Sequence, residues 1–266
     1  NLEERLAATL LDRQSKPVKP TAAGREAYEH GRRVLRSLAD LKAGVSPQGE
    51  VQGEFRLGIM PYLSEAALMQ PFDRLRTDFP ALTLRVTSGW SPRLVEQVAR
   101  SELDAVAVCL ADGVPPPETL VCDDLGAQRV LLVAARSLKV PRRPDLEQLS
   151  RFPWVMNESG CGFRAFIRHR FEAERLPFQV AVEALSVDLR MSLVARGFGI
   201  GIVTPAAFAG GAWRDEVEII ASPDFRPCVR AWLLHRAPAG RLARPIAAFR
   251  EALAEVLREP ESLREP

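Results

Sequence analysis

From Glu54 onward the chain alternates two kinds of segment, and that alternation limits the architectures open to it. EFRLGIM (54–60), LTLRVTSG (82–89) and DAVAVCL (104–110) are short apolar runs that read as strands. Between them, EAALMQPFDRLRTDF (65–79) and PRLVEQVARSE (92–102) carry apolar residues at helical spacing, with Pro71 marking a start or a kink. Strand, helix, strand, helix, strand implies a parallel sheet with right-handed crossovers. After PPPETL (115–120) the theme repeats. Strands are expected over 129–135, 154–156, 180–185, 199–203 and 230–236, and helices over 163–174, 187–197 and 243–258. The expected class is therefore α/β, with similar halves enclosing a cleft. Ligands of open α/β sheets bind beyond the carboxyl ends of the strands.

The first fifty residues follow a different pattern. Leu2, Leu6, Leu10 and Leu11 have helical spacing, and DRQSKPVKP (12–20) then breaks it with prolines and basic residues. Thr21 reads as the N-cap of a long helix to about Ala43. Tyr28, Gly31, Leu35 and Leu38 form one stripe of that helix, flanked by Ala27, Val34 and Leu41. This is close to a heptad seam, which is marginal alone in water and is satisfied most simply by a second copy of itself. GVSPQGEVQGE (44–54) reads as a linker.

Composition removes several classes of function. The chain has 266 residues, 47% hydrophobic and 26% charged, which suits a globular protein and opposes disorder. No apolar run nears the roughly 20 residues a membrane span needs. The charged, amphipathic start does not resemble a secretory signal, and no membrane partner is expected. Cys109, Cys122, Cys161 and Cys228 are widely spaced, which opposes a zinc site or a disulfide framework and suits reduced thiols in the cytoplasm. Residues 1–50 hold nine Lys/Arg against seven Asp/Glu and the rest is balanced at 27 each, so the basic excess lies at the N-terminus.

Three loops fall at the carboxyl ends of expected strands. They are Pro61-Tyr62-Leu63-Ser64, Ser88-Gly89-Trp90-Ser91, and Glu158-Ser159-Gly160-Cys161-Gly162. Glycines allow close backbone approach, and helix N-termini offer unpaired N–H groups to an anion. Each serine alone equally serves as an N-cap. Arg164 could pair with an anion there or lie solvated, and Trp90 could stack on a ligand or fill the interface between halves. Cys161, set between glycines ahead of a helix, leaves three roles open: reactive thiol, nucleophile, or part of a ligand loop.

Catalysis finds little support, and no cofactor or metal is implied. His30, His169 and His235 are scattered, and no Ser-His-Asp or Cys-His order is apparent. HExxH, GxxxxGK[ST] and a nucleophile elbow are absent from the sequence. GFGIG (197–201) follows a helix and opens a strand, the reverse of a dinucleotide fingerprint.

The order of these features resembles a LysR-type transcriptional regulator. LEERLAATLLDR (2–13) resembles the family's LExxLGxxLFxR, and TAAG (21–24) its TxAG. LRTDFPALTLRVTSG (75–89), LDAVAV (103–108) and SLVARGFGIGIVTP (192–205) are similar to further family segments, so the resemblance spans nearly the whole chain. Ala7 stands where the family has glycine, Leu11 where it has phenylalanine, and Pro20 where it has leucine.

The resemblance implies a DNA-binding, non-enzymatic regulator built as a periplasmic-binding-protein-like effector domain of two subdomains. A linker helix and the remnant of a winged helix-turn-helix precede it, the sequence opening inside what would be the recognition helix. The implied segments are 1–20 for that remnant, 21–44 for a dimerising helix and 45–53 for a linker. Residues 54–125 with 236–258 would form subdomain I, 126–235 subdomain II and 259–266 a tail. Arg13, Lys16 and Lys19 on the wing become candidates for phosphate contact. Candidates for a small, anionic effector are Ser64, Gly89, Trp90, Ser91, Ser159, Gly160, Cys161, Gly162, Phe163, Gly199, Ile200, Gly201 and Val203. Dimers or tetramers are expected. Cys161 also falls where peroxide-sensing members place a reactive thiol, which makes a redox sensor the alternative. A helix N-terminus would favour its thiolate, but Arg170 stands near where a resolving cysteine is expected. A solute-binding protein of the same fold is the other alternative.

Overall fold

Local signals account for most element boundaries in the computed structural model, which describes residues 1–44, 51–111, 114–159 and 161–258. The expected tail 259–266, most of the expected linker (45–50) and Gly160 lie outside the described residues. The chain divides into two units, Asn1–Val51 and Gln52–Pro266.

In the first unit α1 (Leu2–Leu6) opens with a capping box between Asn1 and Glu4. It closes at Ala7, whose backbone is left-handed with φ 48° and ψ 39°. Strands β1 (Leu11–Asp12) and β2 (Lys19–Pro20) pair antiparallel, Leu11 with Pro20 and Asp12 with Lys19. The Glu3 carboxylate accepts the N–H groups of Leu10 and Leu11 and meets the Arg13 guanidinium at 2.9 Å. The two backbone donors first, then Arg13, hold its pKa below the usual carboxylate value. Helix α2 (Ala22–Gly44) starts where predicted: the Thr21 hydroxyl accepts from the Gly24 N–H at 3.0 Å. Tyr28, Val34, Leu35, Leu38 and Leu41 of α2 are exposed on the single chain.

The second unit begins with β3 (Gly53–Ile59), α3 (Pro61–Met69), α4 (Pro71–Asp78), β4 (Leu82–Ser88), α5 (Ser91–Ala99) and β5 (Ala105–Ala111). The helix expected over 65–79 is two helices, because Pro61 and Pro71 each take a first-turn position where the missing N–H costs nothing. Strand β3 pairs in parallel with β4 and β5, as the alternation implies. Arg56 on β3 forms a buried ion pair with Asp104, just ahead of β5.

The chain continues through β6 (Val121–Arg129), β7 (Leu131–Ala135), α6 (Leu146–Ser150), β8 (Trp154–Met156), α7 (Gly162–Ala173) and β9 (Val180–Glu183). It ends with α8 (Val187–Ala195), β10 (Gly201–Val203), α9 (Pro205–Gly210), β11 (Val217–Ile220), β12 (Cys228–His235) and α10 (Ala243–Leu257). The first sheet has the order β4-β3-β5-β12-β6, and β12 runs antiparallel to both neighbours. The purely parallel expectation is corrected there. So is the assignment of residues 126–235 to one half, since β12 lies within that range yet pairs Ala231 with Cys109 in the first sheet.

The remaining strands form the ladders β10-β7-β11, antiparallel, and β8-β9, parallel. A single bridge between Trp154 and Ile200 joins them. Val133, Val155, Met191, Val194, Val203, Trp213 and Val217 make one buried cluster of this region.

Candidate functional site

The Pro61-to-Ser64 stretch is not a loop but the first turn of α3. Ser64 bonds back to the Met60 carbonyl at 3.4 Å, while Pro61 and Tyr62 line a cavity. In the second expected loop, Ser91 is 2% exposed and its hydroxyl donates to the Cys109 carbonyl at 2.8 Å. It anchors the start of α5 to β5 and has no free reach toward a ligand. The Gly89 N–H bonds the Ile59 carbonyl at 3.3 Å. Trp90, at the N-cap of α5, donates its indole N–H to Glu158 at 3.3 Å, so the second and third expected loops touch.

In the third loop Ser159 is exposed and Cys161 is the N-cap of α7. Gly162 has a steric reason: a Cβ there would lie 3.2 Å from the Cys109 carbonyl oxygen, where α7 crosses β5. Cys161 is buried, and its sulfur takes a hydrogen bond from the Asn157 amide at 3.4 Å. Burial raises its pKa, and this outweighs the lowering effect of the Arg164 and Phe163 N–H groups. The expectation that the helix terminus would favour the thiolate is thereby corrected: desolvation wins.

Arg164 is 6% exposed and already committed. It donates to the Asn157 carbonyl at 2.8 Å and to the Glu183 carboxylate at 2.6 Å. The hydrogen bond from Arg164 is the main reason that the Glu183 pKa is lowered. Phe163 is buried and packs on Tyr62, ring centroids 4.6 Å apart.

The glycine-rich strand serves mostly as structure. A Cβ on Gly199 would sit 2.4 Å from the Pro153 carbonyl oxygen, and Ile200 bonds on both sides of Trp154. Gly201 faces Val194 and Met191 of α8. Val203, at the strand's end, lines the cavity with Ile202.

That cavity is small, about 40 Å³, and partly open to solvent. Its walls are Tyr62 and Phe163 on one side, Val130, Ile202 and Val203 on another, and Leu185 and Val187 at the start of α8. Asn157, Arg190 and Thr204 supply polar groups. Of the predicted candidates, Phe163 and Val203 line this cavity. Ser64, Gly89, Trp90, Ser91, Ser159, Cys161, Gly162, Gly199, Ile200 and Gly201 do not.

Arg190 escaped the sequence reading. It lies within α8 at 5% exposure and donates through one terminal nitrogen to the Ala184 and Leu185 carbonyls at 3.0 and 2.7 Å. Its Nε and the Asn157 Oδ1 are buried without a hydrogen-bond partner. Among the described residues Arg190 forms no ion pair, and burial lowers its pKa. A lone arginine in a short helix without a clear apolar face carries no sequence signal that it points inward. Around the β1–β2 hairpin, Arg13 is paired with Glu3, and Lys16 and Lys19 are exposed.

Among the described residues there is no group of His, Cys, Asp and Glu placed to hold a metal ion, and no helix long and apolar enough to cross a membrane.

Residues 48–258 match the family model of the LysR substrate binding domain. The regulator BbuR of Bordetella bronchiseptica is 28% identical over 244 residues, 91% of this chain and 74% of that protein. A full-length OxyR variant from Pseudomonas aeruginosa superposes with a TM-score of 0.73 at 18% identity, covering 100% of this chain and 86% of its own. The CcmR regulatory domain from Synechocystis, solved with 2-PG, gives 0.65 at 18% identity over 78% of this chain and 99% of its own.

Proposed function

The chain belongs to the LysR family of transcriptional regulators, and on that premise we propose that a small molecule seated in the Tyr62–Phe163–Arg190 cavity switches its activity. The observation that carries this reading is the cavity's chemistry. Its lining is mostly apolar, yet it includes Asn157, Thr204 and the buried Arg190, which among the described residues has no ion pair. A buried charge without a counter-ion costs stability, and a small polar molecule is a natural partner for it. The cavity gathers residues from α3, α7, α8 and β10, so occupancy would bias the relative placement of the elements around it.

Family members bind DNA and small-molecule effectors and are oligomeric. For this chain we assign the multimer contact to the exposed stripe of α2, and phosphate contact to Lys16, Lys19 and Arg13 on the hairpin. Glu3 holds the hairpin and Arg13 in place. Action on DNA implies a cytoplasmic location and a regulatory rather than catalytic role. The thiol-sensor reading is the weaker one, because Cys161 is buried and its thiolate is disfavoured.

Native mass spectrometry of the purified protein tests the reading. A dimer or tetramer that releases a small organic molecule on denaturation, or takes one up from a metabolite extract, is the expected result. A monomer that binds nothing from the extract would refute it.

A further inference from the structure

Resting on the DNA contact proposed for the first unit, we infer that Glu3, Thr21 and Gly24 are positioning residues for DNA binding, which join α1, the β1–β2 hairpin and α2 at the two peptide groups around Leu10. Each of those peptides is held from both sides. From α1, one oxygen of the Glu3 carboxylate accepts the Leu10 N–H at 2.7 Å and the Leu11 N–H at 3.2 Å. Its other oxygen meets Arg13, just beyond β1, at 2.9 Å. From the head of α2, the Thr21 hydroxyl donates to the Thr9 carbonyl at 2.7 Å and the Thr21 N–H to the Leu10 carbonyl at 3.0 Å. Glu3 thus takes both N–H groups and Thr21 both carbonyls of the same two peptides.

Gly24 lets the helices meet there. A Cβ on it would lie 2.0 Å from the Leu10 carbonyl oxygen, so a side chain at that position would push α2 off the joint. The Gly24 N–H also donates to the Thr21 hydroxyl at 3.0 Å, which orients that group. Glu3 is not needed for capping, because Glu4 completes the capping box of α1. Its side chain is turned to the joint and only 22% exposed.

The joint matters because little else directs α1. That helix has five residues, none of them buried, so apolar packing within the described residues does not fix its axis. Charge-assisted hydrogen bonds do, and bonds that share a peptide group reinforce one another. In a multimer joined through α2, the angle set here fixes the spacing at which two copies present α1 and the hairpin to DNA.

Hydrogen exchange and DNA binding of the full chain test this together. Glu3→Ala loses all three contacts of the carboxylate, and Glu3→Gln keeps an acceptor but loses the ion pair with Arg13. Exchange of the Leu10 and Leu11 amides should rise about tenfold in Glu3→Ala and less in Glu3→Gln. Exchange at Thr21 and Gly24 should rise with it, although neither amide bonds to Glu3; a role confined to α1 would leave those two unmoved. Thr21→Val should loosen Leu10 and Leu11 from the opposite side. Fluorescence anisotropy with a short mixed-sequence duplex supplies the second readout, where charge and position predict opposite signs. Glu3→Gln removes a negative charge beside Lys16 and Lys19, which on charge alone tightens binding. A hairpin that has lost its angle should instead bind about three- to tenfold more weakly. Glu3→Gln, the milder variant, carries both readouts if Glu3→Ala fails to fold. Unchanged exchange at Thr21 and Gly24, or tighter DNA binding by Glu3→Gln, overturns the inference. A parent chain that leaves the duplex unbound removes the DNA contact of the first unit, and with it the role inferred for the joint.

Discussion

The indole N–H of Trp90 donates to the carboxylate of Glu158 at 3.3 Å, tying the turn between β4 and α5 to the turn ahead of α7. These turns follow strands of different sheets. One partly solvated hydrogen bond is worth about 0.5–1.5 kcal/mol. Trp90→Phe should speed local opening of the 157–159 backbone by roughly two- to tenfold, read by hydrogen exchange. Unchanged exchange there would show that the contact holds nothing together.

Arg164 and Glu183 give a pH-dependent element. The Glu183 carboxyl is held below its usual range by Arg164, so the folded state favours its ionised form. Its contribution is present above the unfolded glutamate value of about 4.3 and fades as pH falls through the lower folded value. Urea melts from pH 6 down to about 3 should lose stability less steeply in Glu183→Gln than in the parent. Arg164→Met should cost about 1–3 kcal/mol at neutral pH, because it leaves the buried Asn157 carbonyl without its donor.

Cys161 should be chemically quiet. Burial raises its pKa, and its sulfur sits against the Asn157 amide. In timed alkylation of native protein at pH 7.5, read by peptide mass spectrometry, Cys122 and Cys228 should take label well before Cys161 and Cys109. Early oxidation of Cys161 by dilute peroxide would restore the thiol-sensor reading.

Ala7 occupies a left-handed backbone that disfavours any Cβ. Ala7→Gly should stabilise the first unit by about 1 kcal/mol, even though glycine is costlier to order from the unfolded chain. Denaturant unfolding followed by exchange of the α1 and hairpin amides is the appropriate measurement. A loss of protection in the glycine variant would contradict the argument.

Leu35 on α2 is 68% exposed in the single chain and lies in the apolar stripe. If that stripe pairs between copies, each buried leucine contributes about 1.5–3 kcal/mol. Leu35→Glu should then shift the protein toward monomer in light scattering at micromolar concentration. An unchanged mass would place the multimer contact elsewhere.

Much of this protein can be read without coordinates. The alternation after Glu54 determined the β3-to-β5 parallel unit, Pro71 marked a helix start, and Thr21 placed the start of α2, because proline geometry, capping and hydrophobic period act over a few residues. Strand β6 escaped, since VCDDLGAQR buries only Leu125 and shows no alternation. The return of β12 into the first sheet escaped too, because pairing partners lie more than a hundred residues apart and a strand's sequence does not name its neighbour. The cavity depended still more on tertiary structure. Nothing local distinguishes Arg190, buried and unpaired, from Arg164, buried and neutralised, or Ser91, bonded to a carbonyl, from a serine awaiting a ligand. Those differences arise only when distant segments bring, or fail to bring, a partner within hydrogen-bond reach.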